Sequence, residues 1–166
     1  NLAQEYHTVA FDPNTTNSFV IHYSRSGSTW DMAGTVSGTT ASVGTAVRVR
    51  TATSQGNAPT LAWNPNQAGE FAAIYKDDNS SDPSMYAYIG TVSGNTVTQG
   101  GTNLVPAATA HNGVAIAWNK GVNDEFVICY ATTSAGGKIM AIRATVSGTS
   151  ISYGTISTLS SLYSGT

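Results

Sequence analysis

Few residues of this chain could take part in catalysis, and the three histidines are the first to test. His7, His22 and His111 form no His-x-His or His-Glu-x-x-His spacing, so the sequence predicts no metal ligand. His22 lies in an apolar segment with the period of a strand, which favours a packed or half-exposed histidine over a functional one. No Gly-x-Ser-x-Gly motif marks a serine as a nucleophile.

Two acidic pairs stand in predicted loops, Asp77-Asp78 and Asp124-Glu125. Glycoside hydrolysis needs a carboxyl group whose pKa is raised by an apolar pocket, and neither loop offers one. The segment 77–82 has enough oxygen atoms for Ca²⁺ but lacks the spacing of a calcium-binding loop. We therefore predict no catalytic residue, no metal site and no cofactor. A glycoside hydrolase or sialidase fragment is a distant alternative, and it would depend on Asp77, Asp78 or Asp124.

Composition argues against several other classes of protein. The 166 residues carry a formal net charge of −2, and only 10% of them are charged, against about 25% in an average protein. Nucleic-acid binding requires a basic footprint, whereas Arg48 and Arg50 form only a short basic pair, interpreted as a solvated strand face. No apolar run reaches the ~18 residues of a membrane-spanning helix. The single cysteine, Cys129, excludes an intrachain disulfide and is interpreted as a packing residue.

A few side chains remain candidates for a ligand or a modification. Asn14 and Asn79 each begin an Asn-x-Ser/Thr acceptor sequence, so both are candidate N-glycosylation sites if the protein enters a glycosylating pathway. Trp30, Tyr86 and Tyr88 lie on a predicted strand near the surface and are candidate ligand-facing aromatics. Glycans are therefore candidate partners, whereas nucleic acid and a membrane span are not expected.

A short string that recurs three times organises the chain. Gly34-Thr-Val-Ser-Gly38 returns at residues 90–94 and, with alanine first, at 144–148. The copies lie about 55 residues apart, a spacing typical of repeat architectures. We predict a single domain of three repeats, at approximately 1–58, 59–113 and 114–166.

Each repeat is predicted to contain four antiparallel strands. Apolar residues alternate in the first strand, as at Val9 and Phe11, which is the period of a strand. The recurring string is predicted to form the hairpin between the third and fourth strands. The fourth strands are expected to end at Gly44, Gly100 and Gly154, and linkers such as 47–58 to follow them.

The predicted fold is all-β, with three four-stranded meanders resembling propeller blades, and a β-trefoil is the alternative. A closed propeller usually has four to eight blades, so three are too few for a ring. We expect either self-association of the chain or its membership of a longer array. Variable loops at 24–28, 76–84 and 131–138 are the expected place for a function.

The pattern A-[FW]-[DN]-P-N…F-V-I-x-Y…G-T-V-S-G-T-x-x-x-x-G-T resembles tandem repeats in large proteins of phages and uncultured aquatic microbes. The resemblance covers roughly residues 8–160. It implies a propeller-like or fibre-like fold, and a tail-fibre or virion structural role without catalytic residues. The expected function is a non-enzymatic structural or adhesive module on an extracellular or virion surface, self-associating as a homo-oligomer or fibre. A carbohydrate-binding lectin, formed by an oligomeric propeller or a trefoil, is the alternative.

Overall fold

The computed structural model describes residues 6–51, 59–77, 84–106, 111–132 and 137–161. These residues contain no helix, and their strands form three antiparallel sheets of four or five strands, so the fold is all-β as predicted. The strands, in chain order, are β1 (His7–Phe11), β2 (Ser18–Arg25), β3 (Ser28–Ser37), β4 (Thr40–Val43), β5 (Val47–Thr51), β6 (Thr60–Trp63), β7 (Glu70–Asp77), β8 (Ser84–Ser93), β9 (Thr96–Gln99), β10 (Asn103–Leu104), β11 (His111–Trp118), β12 (Glu125–Thr132), β13 (Lys138–Ser147) and β14 (Ser150–Ser161).

Each sheet is an antiparallel meander in which strands that follow one another in sequence lie side by side. The first sheet has the order β1-β2-β3-β4, the second contains β6-β7-β8 with β9 paired to β8, and the third is β11-β12-β13-β14. The described part of the chain does not close into a ring. No helix among the described residues is long and apolar enough to cross a membrane.

The recurring glycine string forms a tight hairpin in every sheet, as predicted. Gly38, Gly94 and Gly148 have φ angles of 58°, 58° and 59°, a left-handed conformation that glycine adopts without steric cost. Each is the first residue of a two-residue loop, because the flanking residues pair directly, as Ser37 does with Thr40. Glycine at this place is typical of a type II′ hairpin turn, whose twist matches the strands.

Two segments predicted as linkers are strands instead. Residues 47–51 form β5, which pairs with β3 beyond the end of β4. Their valines and arginines alternate with a period of two, which suits a strand with one solvated face. In the third sheet, β14 continues through Gly154 to Ser161 and pairs with β13 over almost its whole length. By contrast, β4 and β9 end just before Gly44 and Gly100, as predicted.

Every sheet has an aromatic face and a reverse face, which its second strand defines. Side chains alternate between the two faces along a strand, so the phenylalanine and tyrosine four residues apart share one face. The aromatic faces carry Phe19 and Tyr23, Phe71 and Tyr75, and Phe126 and Tyr130; the reverse faces carry Val20 and His22, Ala72 and Ile74, and Val127 and Cys129.

The sheets stack with an aromatic face on a reverse face. Phe71 of the second sheet shares a buried core with Val20 of the first. Phe126 of the third sheet shares a second core with Ile74 of the second. The stack therefore has two interfaces, called here the first and the second interface. Among the described residues, no sheet covers the aromatic face of the first sheet or the reverse face of the third sheet.

Candidate functional site

The main cluster of polar side chains between the sheets lies in the first interface and is called here the buried network: the fully buried His22, Asp31 and Tyr88, with the half-buried Gln99. Asp31 is its centre. Asp31 Oδ1 lies 2.8 Å from His22 Nδ1. Asp31 Oδ2 accepts hydrogen bonds from the Tyr88 hydroxyl at 2.6 Å and from Gln99 Nε2 at 3.0 Å. Each sheet contributes two of the four side chains, so the network joins the sheets.

Strand register places the His–Asp pair. His22 on β2 lies directly opposite Asp31 on β3. The loop between these strands is Ser26-Gly27, and both residues have positive φ angles, 49° and 72°. That combination is the type I′ turn, whose twist favours a tight hairpin. The turn fixes the register and thereby sets the two side chains on the same face.

Both ring nitrogens of His22 face hydrogen-bonding partners. Its Nδ1 faces the Asp31 carboxylate, and its Nε2 lies 3.2 Å from the carbonyl oxygen of Ile74. The ring is therefore held from two sides, by the carboxylate of its own sheet and by the backbone of the second sheet.

The buried network is sealed from solvent. His22, Asp31 and Tyr88 have no exposed surface. Burial, followed by the nearby Asp31 carboxylate, raises the pKa of Tyr88 well above its ordinary value, because both disfavour the phenolate. A molecule from solution has no path to these groups, so the arrangement can hold two sheets together but cannot act on a substrate.

Arg50 adds a second polar link at the rim of the first interface. Its Nη2 lies 2.8 Å from Asp77 Oδ2, and its guanidinium lies 4.5 Å from the centre of the Tyr86 ring. Tyr86 stacks in turn on Tyr75, with 5.6 Å between ring centres. The interpretation of this basic pair as a solvated strand face is therefore wrong for Arg50, which reaches across to the second sheet.

An open cleft lies on the aromatic face of the first sheet. It consists of two cavities of about 390 and 330 Å³ that share Tyr23 and Arg25 as lining residues. Trp30 lines the smaller cavity, and its indole N–H is buried without a hydrogen-bond partner among the described residues. The guanidinium of Arg48 lies 5.8 Å from the Trp30 ring. Aromatic surfaces beside hydrogen-bonding groups suit a polar ligand with an apolar side, such as a sugar.

The three candidate ligand-facing aromatics have different environments. Trp30 is half-buried and lines the cleft, which is consistent with a ligand-facing position. Tyr86 is half-buried beneath Arg50. For Tyr88 the prediction is wrong, because the side chain is fully buried in the first interface. Both faces of its strand, β8, are covered by neighbouring sheets, so a residue near the hairpin between the third and fourth strands is not necessarily exposed.

The candidate modification and hydrolase residues lie apart from one another. Asn14 is in an exposed turn, where its Nδ2 donates a hydrogen bond to the carbonyl of Asn64 at 2.9 Å. Asp77 is held by Arg50, and Asp124 is exposed in the loop before β12. Asn79 and Asp78, with most of the oxygen-rich segment 77–82, lie outside the described residues. Glycosylation at either asparagine stays a prediction.

Within the described part of the chain, no three histidine, cysteine or acidic side chains cluster as metal ligands would. Cys129 is half-buried on the reverse face of the third sheet, opposite Ala141. His22 is packed, as predicted, and its ring is hydrogen-bonded to Asp31.

The sequence analysis missed the buried network, although one signal could have found it. Ser26-Gly27 is a short turn signal of a kind that favours a two-residue hairpin. A hairpin centred there places His22 opposite Asp31. The contributions of Tyr88 and Gln99 depend on how the second sheet stacks on the first, which no local pattern reveals.

Comparison of the chain with protein-family models, with curated proteins and with solved structures finds no match. Its function is therefore argued from its own geometry.

Proposed function

We propose that the chain is a non-enzymatic structural or adhesive β-repeat module of an extracellular or virion assembly. One observation carries this proposal. His22 and Asp31, the residues best suited to acid–base chemistry, join two sheets and have no access to solvent. A module built for cohesion uses its polar groups in this way, whereas an enzyme exposes them in a cleft.

The three sheets are, in this proposal, repeats of one propeller-like blade, in preference to the units of a trefoil. Their first strands lie in a row: Trp63 Nε1 on β6 donates to the Ala10 carbonyl on β1, and Trp118 Nε1 on β11 donates to the Ala62 carbonyl on β6, each at 2.9 Å. Four-stranded meanders stacked face to face, with their first strands together, are the packing of propeller blades.

Electron microscopy of the native material tests the structural role. Antibodies raised against the chain should label a fibre, a virion or another repeating surface structure in the source's extracellular and virion fractions. Labelling confined to dispersed protein would overturn the proposal. In the same preparations, glycoside turnover that is lost on changing Asp77 or Asp124 to asparagine would favour the hydrolase alternative.

The second candidate function is glycan binding, and the Trp30 cleft favours it. Trp30, Tyr23 and Arg25 line the same space, so two aromatic residues lie beside a guanidinium there. Sugars commonly combine an apolar ring face with polar edges, which such a cleft can match.

A glycan array separates this candidate from a purely structural role. If the cleft binds a sugar, Trp30→Ala should abolish the signal, because the stacking surface is lost. Trp30→Phe keeps a smaller aromatic ring, so it should retain part of the binding. An array without signal for the unaltered chain, at high micromolar concentration, would exclude the lectin.

A further inference from the structure

The two outer faces of the stack expose residues that are covered at the corresponding positions inside it. Val9 and Phe11 on the first sheet are 57% and 58% exposed. Leu61 and Trp63, which hold the same positions in the register of the second sheet, are 8% and 7% exposed. At the other end, Val127 is exposed, although its counterparts Val20 and Ala72 are completely buried. Both ends therefore present half of an interface that the chain forms twice internally.

Two glycines mark where the hairpin of the next sheet contacts each interface. A Cβ atom on Gly44 of the first sheet would come within 1.9 Å of the Asn95 carbonyl oxygen, in the hairpin of the second sheet. A Cβ atom on Gly100 would come within 2.5 Å of Thr149, in the hairpin of the third sheet. Both positions need glycine because the next hairpin seats against the backbone there.

Gly154 holds the same place in the third sheet, but its space is open. A Cβ atom there would have its nearest contact at 3.6 Å, with the backbone of Arg143 in its own sheet. The hairpin that corresponds to Asn95 and Thr149 is the one in the first sheet, where Thr39 follows Gly38. No hairpin among the described residues fills the space beside Gly154. The Thr39 hairpin corresponds to the hairpins that fill this space at Gly44 and Gly100.

We propose that a second copy of this chain docks head to tail, with the aromatic face of its first sheet on the reverse face of the third sheet and its Thr39 hairpin against Gly154. The occupant is a copy because the two faces have the strand register and hairpin positions of the halves of an interface already present twice in the chain. Such heterologous contacts either close a ring or continue as a fibre. This inference rests on the proposed structural role and names its partner.

The proposed contact between the third sheet of one copy and the first sheet of the next is called here the joint. It resembles the second interface more than the first. The reverse face of the third sheet has Cys129 opposite Ala141, where the second sheet has Ile74 opposite Ala87. Met32 takes the place of Tyr88 on the aromatic face of the first sheet, since it lies at the same register. The joint therefore contains no counterpart of the buried network.

Two residues that differ from their counterparts in the other sheets make the joint weaker than an internal interface. Phe11 stands where Trp63 and Trp118 donate an indole N–H to the preceding sheet, so the joint lacks this hydrogen bond. Arg143 stands where the other reverse faces have the buried Ala33 and Ile89. Its guanidinium pairs with Glu125 and would have to be accommodated at the edge of the joint. We expect reversible association at micromolar concentrations.

Sedimentation velocity of the whole chain, from about 1 to 500 μM, tests the joint. Val9→Asp and Val127→Asp should each abolish association while leaving the melting temperature unchanged. Leu104→Asp is the matched control, because Leu104 is 56% exposed but lies on the middle sheet. An equimolar mixture of the two variants retains one intact pair of faces, so it should form a dimer that cannot grow.

Gly154 allows a test that adds no charge. Gly154→Val should fold normally, because the space beside Gly154 is open in a single chain. It should weaken association at least tenfold, because the valine would fill the space that the Thr39 hairpin of the next copy occupies. Gly101→Val is its control, since a Cβ atom on Gly101 would contact nothing within 4 Å. In the opposite direction, Phe11→Trp should strengthen association about fivefold, and Arg143→Ile should strengthen it about tenfold.

The outcomes separate this inference from the structural role. A chain that stays monomeric at 500 μM, and also when Phe11→Trp and Arg143→Ile are combined, would overturn the head-to-tail joint. Association that Val9→Asp abolishes but Val127→Asp leaves intact would overturn it too, because that result indicates face-to-face pairing of the first sheets. Labelling of a fibre by antibodies would still support the structural role in both cases. Conversely, a dimer of the mixed variants with labelling only in dispersed protein would support the joint and reject the role.

Discussion

The two interfaces of the stack use the same backbone arrangement with opposite chemistry. In the first interface, His22 and Asp31 of one sheet meet Tyr88 of the next, all fully buried and hydrogen-bonded. In the second, the corresponding contacts are made by Ile74, Ala87 and Ile142, which are also fully or almost fully buried. The register is identical, so the difference lies in the side chains alone.

This difference indicates that the two interfaces depend on different kinds of free energy. The apolar interface is stabilised by area removed from water, is not directional, and tolerates replacement by other residues of similar size. The polar interface has to repay the desolvation of its buried polar groups, and it accepts only a partner with donors in the right places. A sheet without the Tyr88 hydroxyl would leave Asp31 short of a donor. We infer that the buried network specifies which sheet stacks on the first.

The largest expected effect comes from removing the centre of the buried network. Asp31→Ala leaves His22, Tyr88 and Gln99 without the carboxylate they contact, so the free energy of unfolding should fall by about 3–5 kcal/mol. Urea denaturation followed by tryptophan fluorescence measures it. Arg143→Ala removes an exposed partner of Glu125, which keeps its hydrogen bond from Asn119, and serves as a control that should barely move the midpoint. A loss for Asp31→Ala no larger than that of the control would show that the network contributes little.

The next effect tests the apolar interface at the position that corresponds to Tyr88. Ile142→Ala creates a cavity in the second core, and the free energy of unfolding should fall by about 3 kcal/mol. Because Asp31 and Ile142 lie in different interfaces, the two losses should be additive within about 0.5 kcal/mol. Denaturation of the double variant checks this. Clear non-additivity would mean that the two interfaces are coupled through the second sheet.

A smaller effect separates the Tyr88 hydroxyl from its ring. Tyr88→Phe removes one hydrogen bond to a carboxylate, and the free energy of unfolding at pH 7 should fall by about 1.5–3 kcal/mol. The folded state also holds the Tyr88 proton above its ordinary pKa of 10.0. Above pH 10 the unfolded chain releases a proton that the folded chain retains, so stability falls as the pH rises, by about 1.4 kcal/mol per pH unit for each such group. Tyr88→Phe should remove one group's share of that slope.

Tyr153→Phe is the matched control for the pH measurement. Burial also raises the pKa of Tyr153, so this variant should reduce the alkaline slope in the same way. Its hydroxyl has no hydrogen-bond partner among the described residues, and stability at pH 7 should therefore not fall. If both variants lost the same stability at pH 7, the hydroxyl bond to Asp31 would not be the cause.

The sequence was sufficient to predict apolar strand faces and hairpins, but not how the sheets stack. Alternation in strands such as 126–130 predicts apolar faces, and the glycine string predicts the hairpins, because both signals are local. A single-sequence pattern reports that Tyr88 is on a strand, but not that both faces of that strand are covered. Burial of Tyr88 and its bond to Asp31 depend on the stacking of sheets, which joins residues more than 50 positions apart.

Local patterns also misjudged the extent of the strands. Residues 47–51 were expected to be a linker because Gly44 follows the fourth strand, yet β5 pairs with β3 and brings Arg50 to Asp77. The alternation of valine and arginine was the available signal. The sequence indicated only that the loop at 24–28, which borders the Trp30 cleft, was a place for a function. The cleft itself depends on the face of the first sheet that no described sheet covers.

The smallest expected effect is the most informative about the two interfaces. The triple variant His22→Ile, Asp31→Ala and Tyr88→Ile gives the first interface the residues of the second. Replacing a buried ionic cluster with apolar residues of suitable volume is often neutral or stabilising, so its free energy of unfolding should lie within about 2 kcal/mol of the unaltered chain, although Asp31→Ala alone costs more. Denaturation of the single and triple variants gives the coupling energy directly.

If the triple variant were as unstable as Asp31→Ala, the network would be a net source of stability. If it is stable but associates through mismatched faces in sedimentation, the network serves to select the correct neighbour, which an apolar interface cannot do.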